Sequence, residues 1–397
     1  MKLSLCSLLL SAVSSLVLAL PTEKNFVYDA VIVGGGPAGL SIASALGRVR
    51  RNALVIDSGE YRNAPTRHMH DVLGFDGVTP AWYRYSARKQ IAAYKTITFS
   101  NGTVTKIDGN DQENFVVTAT SFDNSTLAVR ARKVVLATGL KDNLPETPGI
   151  WENWGKGIYW CPWCDGHEHA DQPLGLLAKD FSDLPSLARE VLTLNPDLVA
   201  FANGTDTPEA RAKTEAKNPK FQTYLDLHKV KIENRTIARI TRLKDGGEPP
   251  KDPSLATAPE YDLFSVEFTE GEPVQRAGFL LSYPEEQRSK VGQEAGVQIW
   301  GNKLAVDASK GYLTNVPGIY AIGDANSDNS TNVPHALYTG KRAAVFMHVK
   351  LAKEEQAKET GVDVGLLKRD VELEARSLWD HVNGQPGDIL YAGEYDQ

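Results

Sequence analysis

FVYDAVIVGGGPAG, at residues 26–39, is the segment from which the architecture of this 397-residue chain is best derived. Its first half is apolar and rich in β-branched residues, a composition typical of a buried strand. A helical pattern follows over residues 40–49. A G-x-G-x-x-G run between a strand and a helix lets the backbone approach a pyrophosphate at the helix N-terminus. We therefore predict a Rossmann-like dinucleotide site built on Gly34, Gly36, Pro37, Ala38 and Gly39.

Three later segments extend this site. Residues 53–56 form a second strand pattern that ends in Asp57, an acid suitably placed for the ribose hydroxyls of a dinucleotide. KVVLATG at 133–139 and GIYAIGDA at 318–325 are further strand patterns that end in small-residue turns. A flavin dinucleotide is long and needs additional backbone contacts and an acid for its ribityl chain. The residues that we predict for these contacts are Thr138, Gly139, Gly323 and Asp324.

CPWCDG at residues 161–166 carries the sulfur chemistry of the chain. Two intervening residues let the thiols close a small disulfide ring, and a helix N-terminus at such a pair lowers the pKa of one thiol. Pro162 suits the first turn of that helix. The remaining cysteine, Cys6, lies in a segment that we expect to be removed. A redox-active pair is the leading interpretation, with Asp165 placed to accept or donate a proton.

Two structural interpretations of the cysteine pair remain open. The first is an inert disulfide that only stabilises the fold. The second is a zinc site completed by His167 and His169. Four ligands within nine residues give poor tetrahedral geometry, so we predict no metal site.

The N-terminus and the charge balance indicate the compartment and limit the partners. Net charge is −7 and no basic cluster stands out, which argues against nucleic-acid binding. Lys2 precedes an apolar run at residues 3–20, and small residues before position 20 favour cleavage after Ala19. A transmembrane anchor is the alternative, but serines interrupt the run and Pro21 follows it instead of basic residues. We predict a signal peptide at residues 1–19, secretion, and no membrane association after cleavage.

N-x-S/T triplets agree with a secretory route. These triplets are acceptors for N-glycosylation and occur more often than chance would supply, so we predict a glycoprotein. The predicted sites are Asn101, Asn124, Asn203, Asn234 and Asn329. Secreted proteins usually place their cysteines in structural disulfides, yet the mature chain would keep only the pair at 161 and 164.

The motifs GGGPAG, ATG, CPWCDG and GIYAIGDA, in this order, resemble the low-molecular-weight thioredoxin reductase family of FAD-dependent pyridine nucleotide-disulfide oxidoreductases. YRN at 61–63 and HMHDVLG at 68–74 are similar to the fungal branch that includes the gliotoxin-type dithiol oxidases of secondary metabolism. The resemblance covers residues 26–350. It implies FAD as cofactor, a homodimer, and further cofactor contacts at Arg62, Asn63 and His70.

The resemblance also implies the fold: an α/β protein with two Rossmann-like dinucleotide-binding domains, of thioredoxin reductase type. The FAD domain would be split between residues 26–149 and 276–352. The domain inserted at residues 150–275 would carry the cysteine pair, and residues 353–397 would form a C-terminal extension. Strand patterns at 174–178 and 198–201 around a helical pattern at 184–194 support a second dinucleotide-type domain.

One departure from the family pattern bears on the electron source. A nicotinamide-using reductase carries a second glycine fingerprint after the first strand of the inserted domain. Here KDFSDL stands at residues 179–184, with two carboxylates and a phenylalanine where a pyrophosphate would approach the backbone. The next strand is not followed by the arginine cluster that binds a 2′-phosphate. NADPH is therefore doubtful, and we expect no productive site for it.

These observations favour a secreted FAD-dependent dithiol oxidase. A small-molecule or peptide dithiol would attack the disulfide and leave oxidised, and O2 would accept the electrons and yield H2O2. The resemblance implies that Cys161 exchanges with the substrate, that Cys164 faces the flavin, and that Asp165 manages the proton. His335, at the start of a helical pattern beside the expected flavin, is the predicted base outside the cysteine motif.

Three alternatives stay open at this point. An NADPH-dependent disulfide reductase of thioredoxin reductase type would be reduced by NADPH. A flavoprotein without turnover would use its cysteine pair only for structure. A flavin-dependent oxidase of secondary metabolites would act without thiols and would survive the loss of both cysteines.

Overall fold

The computed structural model describes residues 26–110, 113–247, 257–364 and 377–378. The predicted signal peptide and most of the predicted C-terminal extension lie outside these residues. The strands are β1 (Val27–Val33), β2 (Ala53–Asp57), β3 (Ile97–Asn110), β4 (Asn114–Ser121), β5 (Thr126–Leu136), β6 (Leu140–Asp142), β7 (Ile158–Tyr159), β8 (Leu174–Ala178), β9 (Leu198–Phe201), β10 (Lys231–Glu233), β11 (Ile237–Lys244), β12 (Leu263–Phe268), β13 (Val274–Arg276), β14 (Gly278–Ser282), β15 (Glu285–Gln287), β16 (Ile299–Trp300), β17 (Lys303–Leu304), β18 (Val306–Asp307), β19 (Leu313–Thr314) and β20 (Ile319–Ala321). The α-helices are α1 (Pro37–Arg48), α2 (Pro80–Ile91), α3 (Ile150–Asn153), α4 (Pro162–Asp165), α5 (Leu184–Val191), α6 (Pro208–Lys217), α7 (Phe221–Leu227), α8 (Val291–Glu294) and α9 (Val333–Thr360).

The first unit is built around β1, which lies between β2 and β5 and runs parallel to both. β20 extends the parallel arrangement beyond β5, while β3, β4 and β5 form an antiparallel meander. Successive residues of β1 are buried on opposite faces, as its continuous apolar sequence predicts. Ile32 packs in the core formed with α1 and α9, and Val31 packs in the core formed with the meander.

α9 is longer than the helix predicted at residues 335–351. It ends at Thr360, where Gly361 has a φ of 67° and stops the helix in the left-handed conformation. Ion pairs hold its last turns against β5: Arg132 contacts Glu355 at 2.5 Å, and the buried Lys133 contacts Glu354 at 2.7 Å. The first residues of the predicted C-terminal extension therefore belong to α9.

The second unit contains a parallel sheet with the order β10-β9-β8-β14-β7. β14 pairs with β7 on one side and β8 on the other, so this unit continues to Ser282. The boundary expected between residues 275 and 276 falls before a central strand of this sheet, because β14 (Gly278–Ser282) belongs to the inserted unit. The antiparallel strands β11, β12 and β13 cover one face of the sheet, where Phe264 packs edge-on against Phe279 with ring centroids 5.5 Å apart.

The chain crosses between the two units twice, and the crossings pair with each other. β6 leaves the first unit and β15 returns to it, and the two strands form an antiparallel ribbon in which Asp142 lies opposite Glu285. Among the described residues, no helix combines the length and apolar character that crossing a membrane requires.

Candidate active site

The turn between β1 and α1 forms a cradle of backbone atoms. Gly34 has a φ of 109°, and a Cβ atom there would lie 2.4 Å from the carbonyl oxygen of Ala137. A Cβ atom on Gly39 would lie 2.0 Å from the carbonyl oxygen of Gly34. Glycine is therefore required at both positions. Gly36 is the N-cap of α1 and offers no side chain to its amides, so the helix start is open to an anion.

Asp57, at the end of β2, is held at the edge of this cradle. Its Oδ1 accepts a hydrogen bond from the Gly35 amide at 3.1 Å, and its Oδ2 accepts one from the Tyr61 hydroxyl at 2.6 Å. Arg88 forms an ion pair with the same carboxylate. Burial, followed by the contact with Asp57, raises the pKa of Tyr61 to about 12, so the tyrosine remains a hydrogen-bond donor.

A continuous cavity extends from the glycine turn to the cysteine motif. The predicted cofactor contacts that line it are Gly34, Gly36, Pro37, Ala38, Asp57, Arg62, Asn63, His70, Thr138, Gly139, Gly323 and Asp324. Gly39 lies beneath the turn and is not part of the wall. Trp160, Cys164 and Asp165 complete the wall at the other end. The structure therefore brings the predicted dinucleotide site and one of the two cysteines together, although they are far apart in sequence.

The two cysteines flank the first residues of α4. Cys161 is the N-cap and Pro162 the first helical residue, as the motif predicts. The cysteines form a disulfide with their Cα atoms 5.2 Å apart. The carbonyl oxygen of Cys161 accepts hydrogen bonds from the amides of Cys164 and Asp165 at 3.1 and 3.2 Å. Cys164 lines the cavity, whereas Cys161 does not, so the two thiols have different surroundings.

Asp165 carries an unusual carboxyl group beside Cys164. Its Oδ2 atom is buried and has no hydrogen-bond partner among the described residues. Burial raises the pKa of Asp165 to about 8, although the nearby His169 acts in the opposite direction. The carboxyl group is therefore mainly protonated at neutral pH and able to exchange a proton near its pKa.

A buried group of charged residues, which we call the Arg67 cluster, lies behind Asp165. It consists of Arg67, His169, Arg242, Glu260 and Asp262. Arg67 comes from the first unit and donates hydrogen bonds to Glu260 and to Asp262, the latter at 2.9 Å. Arg242 also donates to Asp262, whose side chain is completely buried.

The protonation states in the Arg67 cluster follow from these contacts. Burial alone would raise the pKa of Asp262, but hydrogen bonds from His169 and Arg67 lower it. Burial alone would lower the pKa of His169, but its contact with Asp262 raises it. The imidazole Nδ1 lies 2.9 Å from the carbonyl oxygen of Asp165, and Nε2 lies 3.3 Å from the Asp262 carboxylate. His169, Glu260 and Asp262 are close enough to share a metal ion, but the two arginines already neutralise these carboxylates.

Two further histidines line the cavity beside the cysteine motif. His68 Nδ1 lies 3.6 Å from Glu260. His70 Nδ1 lies 3.4 Å from Asp76, and its Nε2 lies 3.5 Å from Glu168. Glu168 and Glu260 were not identified by sequence reasoning. The only local signal was the HEH run that follows the cysteine motif.

His335, the base predicted from the sequence, has a different setting. It lies in the first turn of α9, where its amide donates a hydrogen bond to the side chain of Asn332 at 2.8 Å. Its Nε2 atom lies 2.8 Å from the carboxylate of Asp328. His335 is not among the residues that line the cavity containing Cys164, although Val333 and Ala336 of the same helical turn are. Its predicted role as a base stays a prediction.

Asp324, the acid predicted for a ribityl chain, is fixed by Arg62. The guanidinium group of Arg62 donates to Asp324 at 3.0 Å, to Asp142 at 2.5 Å and to Glu285 at 3.1 Å. Burial raises the pKa of Asp324, and the positive charge of Arg62 opposes this effect. Arg62 therefore joins the cofactor segment at 323–325 to the β6–β15 ribbon.

The loop after β8 is filled by its own side chains. Phe181 is completely buried and packs edge-on against Phe221, with ring centroids 5.8 Å apart. Asp180 accepts a hydrogen bond from the Ser182 amide at 2.9 Å and pairs with Lys213 at 3.0 Å. The backbone contact, followed by Lys213, lowers the pKa of Asp180 to about 2. A negative charge therefore occupies the position where a second pyrophosphate would meet backbone amides.

The residues of the cavity fit the FAD that the resemblance implies. The glycine cradle and the open start of α1 suit a pyrophosphate, and Asp57 and Asp324 are acids at the expected ends of the site. Thr138 Oγ1 and Trp160 Nε1 are buried in the wall without hydrogen-bond partners among the described residues. Buried polar atoms are normally paired, and a flavin would supply partners to these two.

Comparisons with known proteins agree with this geometry. A family model described as pyridine nucleotide-disulphide oxidoreductase matches residues 28–181. A protein named "Probable thioredoxin reductase" from Arthroderma benhamiae is 44% identical over 90% of this chain and 87% of its own length. Thioredoxin reductase aclD from Aspergillus oryzae is 31% identical over 84% of this chain and 99% of its own length. The crystal structure of an oxidoreductase from Agrobacterium tumefaciens is 27% identical, covers 82% of this chain and 99% of that chain, and superimposes with a TM-score of 0.68.

The predicted family, fold class and cofactor are confirmed by this combination of a glycine cradle, a disulfide whose Cys164 lies on the cavity wall, and full-length relatives. The chain belongs to the thioredoxin-reductase-like branch of the pyridine nucleotide-disulphide oxidoreductases and is an FAD-dependent oxidoreductase that acts on sulfur groups.

Proposed function

We propose that this protein is a secreted dithiol oxidase that converts a small-molecule or peptide dithiol into a disulfide and uses O2 as electron acceptor. The observation that carries the proposal is the loop after β8. Phe181 fills its interior, and the Asp180 carboxylate caps the 3-10 helix Phe181–Asp183 that precedes α5. Both features oppose the binding of a nicotinamide dinucleotide. Cys164 of the disulfide, by contrast, lines the cavity that fits FAD.

The proposed reaction is balanced as follows. One substrate thiolate attacks Cys161 and displaces Cys164 as a thiolate, and the second substrate thiolate then attacks the mixed disulfide and releases the oxidised product. The substrate loses two electrons and two protons, and the enzyme disulfide gains them. Asp165, in its ionised form, accepts one of the protons at the cavity wall. FAD bound in the cavity would supply the route by which the electron pair reaches O2, so the sum is dithiol plus O2 giving disulfide plus H2O2.

A disulfide reductase that uses NADPH is the second candidate. It is supported by relatives that are named thioredoxin reductase and that this chain matches over nearly their full length. In that case NADPH would reduce the flavin and the thiol pair would reduce a disulfide substrate. The two candidates differ in the direction of electron flow, which can be measured directly.

The test is an anaerobic absorbance titration of the purified protein, first with NADPH and then with dithiothreitol. The oxidase proposal predicts an unchanged flavin spectrum with NADPH, bleaching with dithiothreitol, and H2O2 production once air is admitted. Rapid bleaching by NADPH would overturn the proposal in favour of the reductase. A flavin that neither reagent reduces would contradict both candidates.

We further propose that the chain is secreted and glycosylated. Asn101, Asn124 and Asn329 have exposed side chains, which supports modification there. The amide group of Asn234 donates to the carbonyl oxygen of Asp206, and Asn203 accepts a hydrogen bond from the Ile237 amide at 2.7 Å, so these two sites are less suitable. Expression with the natural N-terminus should place the protein in the medium, and endoglycosidase treatment should lower its mass. An intracellular product of unchanged mass would contradict this proposal.

A homodimer is proposed from the family resemblance alone. Sedimentation equilibrium of the holoprotein, with and without endoglycosidase treatment, tests this directly. A mass of two chains would support the proposal, and the mass of one chain at micromolar concentration would contradict it.

A further inference from the structure

The imidazole ring of His70 lies between two carboxylates that face opposite ring nitrogens. Glu168 approaches Nε2 at 3.5 Å, and Asp76 approaches Nδ1 at 3.4 Å. The two acids differ in their access to solvent: the side chain of Glu168 is 5% exposed, and that of Asp76 is 36% exposed. Both contacts are at ion-pair distance, and the Oδ1 atom of Asp76 that faces the ring is buried without a hydrogen-bond partner among the described residues. An imidazole between two carboxylates can receive a proton on one nitrogen and release one from the other.

The inner carboxylate is firmly held. Glu168 lies in the 3-10 helix His167–His169, which follows α4 directly. The Thr257 hydroxyl donates a hydrogen bond to Oε1, and the Gln172 side chain donates to the Glu168 carbonyl oxygen at 3.1 Å. The negative charge of Glu168 also raises the pKa of Asp165, so the two carboxyl groups interact electrostatically.

We propose that His70 is a positioning and proton-relay residue that connects the thiol site to solvent, through Glu168 on the inside and Asp76 on the outside. The inference rests on the proposed function, because a dithiol oxidase must move two protons in each turnover. His70 shares the cavity wall with Cys164 and Asp165 and has an acid on each side, which a purely structural histidine would not need.

The proton balance of the reaction explains why a relay is needed. Oxidation of each dithiol releases two protons near the cysteine pair, and the same number is taken up when O2 is reduced to H2O2. Because these half-reactions are separated in time, protons released in the first must leave the thiol site and be supplied again in the second. Ionised Asp165 can accept only one of them, so a second acceptor is needed. His70 supplies this acceptor, passes the proton outward through Asp76 and takes one up again when O2 is reduced.

Other charged groups also face His70 and bear on its pH dependence. His68 lies on the same loop with its ring centroid 6.3 Å away, and it is itself close to Glu260 of the Arg67 cluster. Asp165 shares the cavity wall from the second unit. A substitution of Glu168 or Asp76 therefore changes one of the two carboxylates that flank the imidazole, whereas a change at His68 acts on the edge-on contact between the two rings.

The experiment compares the FAD-loaded His70→Gln variant with the wild type in anaerobic stopped-flow reduction by dithiothreitol. His167→Gln is the matched control, since His167 is exposed and lies beside the same motif. We expect the second-order rate constant of His70→Gln to fall about 100-fold, the typical loss for a proton-transfer group. Added imidazole should restore part of this rate in the variant and leave the wild type and the control unchanged. Equal rates in all three proteins, without an imidazole effect, would overturn the relay.

A second readout separates a failed relay from a failed oxidase proposal. A wild-type flavin that dithiothreitol does not reduce would refute the oxidase proposal, but the relay can still be measured on the protein reduced with a phosphine. The pH midpoint for alkylation of Cys164, which lines the same cavity as His70, should differ between wild type and His70→Gln. Coinciding midpoints in that case would overturn the relay. If His70→Gln fails to bind FAD, Asp76→Asn at the outer end takes its place and should slow reduction about tenfold, with the same response to imidazole.

Discussion

The guanidinium carbon of Arg62 lies 5.2 Å from the centroid of the Trp160 ring. Trp160 immediately precedes Cys161, and the same guanidinium group donates a hydrogen bond to Asp324 at 3.0 Å. A single side chain therefore contacts the segment that carries the redox pair and the acid that is expected at the ribityl chain. This contact links the two ends of the site, since a cation over an aromatic ring is attracted to the face of that ring.

Replacing Arg62 by methionine should destabilise the protein strongly. The change leaves Asp142, Glu285 and Asp324 facing one another without their shared cation. Breaking a buried ion pair on one side typically costs about 3–5 kcal/mol of unfolding free energy. Urea unfolding of the holoprotein measures this cost. Lys106→Met, which removes an exposed pair with Asp108, should change the unfolding free energy by less than about 1 kcal/mol. Equal losses in both variants would contradict the argument.

The two cysteines should behave differently when each is replaced by serine. Both variants should lose dithiol oxidation and fall to the background of the free reagents, because the exchange needs both sulfurs. Only Cys161→Ser retains a thiol on the cavity wall beside the flavin, so only this variant should develop a long-wavelength absorbance band when the pH is raised. Full oxidase activity in Cys164→Ser would support a flavoprotein that does not use the pair, or an oxidase that acts without thiols.

Asp165→Asn should remove a pH-dependent step. The pKa of Asp165 is about 8, so its carboxylate, which is the form that accepts a proton from an incoming thiol, accumulates as the pH rises through 8. We expect kcat/KM of the wild type to rise across this range, and the asparagine variant to lose about 100-fold in kcat/KM together with this inflection. Asp171→Asn, at an exposed position, serves as the control. An unchanged inflection in Asp165→Asn would assign the titration to the substrate.

The same substitution should stabilise the folded protein at high pH. The folded pKa of Asp165 is raised from 3.8 to about 8, so its burial costs nothing below pH 3.8, where both folded and unfolded chains are protonated. The cost grows as the unfolded chain ionises and is complete above pH 8. Asp165→Asn removes it, with an upper limit of roughly 6 kcal/mol. Urea unfolding at pH 5 and pH 8.5 should show a larger gain for the variant at the higher pH. A gain that shrinks with pH would contradict the raised pKa.

Phe181→Ala should destabilise the second unit. The phenyl ring is completely buried, and truncating a buried phenylalanine costs about 3–5 kcal/mol through lost burial and the cavity left behind. Phe122→Ala is the matched control because the Phe122 ring is 64% exposed, and it should cost less than about 0.5 kcal/mol. The comparison uses the unfolding free energy of the two holoproteins. Similar values for both would mean that the loop after β8 is not part of the core.

The elements of this fold that sequence predicts well are those specified by local rules. The strand, glycine turn and helix from Val27 to Arg48 form as their pattern indicates, because an apolar run, a required positive φ at Gly34 and Pro37 at the first helical position each act over a few residues. The same holds for the single turn that begins after Cys161. Similar local patterns, namely strands that end in small-residue turns, also predicted the residues at 138–139 and 323–324 that line the cavity.

The Arg67 cluster could not be predicted in this way. Arg67 comes from a loop of the first unit, whereas Glu260 and Asp262 are nearly two hundred residues later in the sequence, and only the packing of the two units brings them together. His335 illustrates the reverse case. Its place at a helix start suggested a role at the flavin, but in the structure its imidazole lies at ion-pair distance from Asp328, which the sequence pattern did not indicate.

Phe181 also constrains how this chain can change over generations. Its ring is part of the core of the second unit and, at the same time, part of the loop after β8. A mutation to glycine would have to open that loop and empty a buried site in the same step. Intermediates on such a route would be poorly folded unless neighbours such as Phe221 changed first. Descendants of this chain are therefore expected to keep a large apolar side chain at position 181, whatever substrate they come to use.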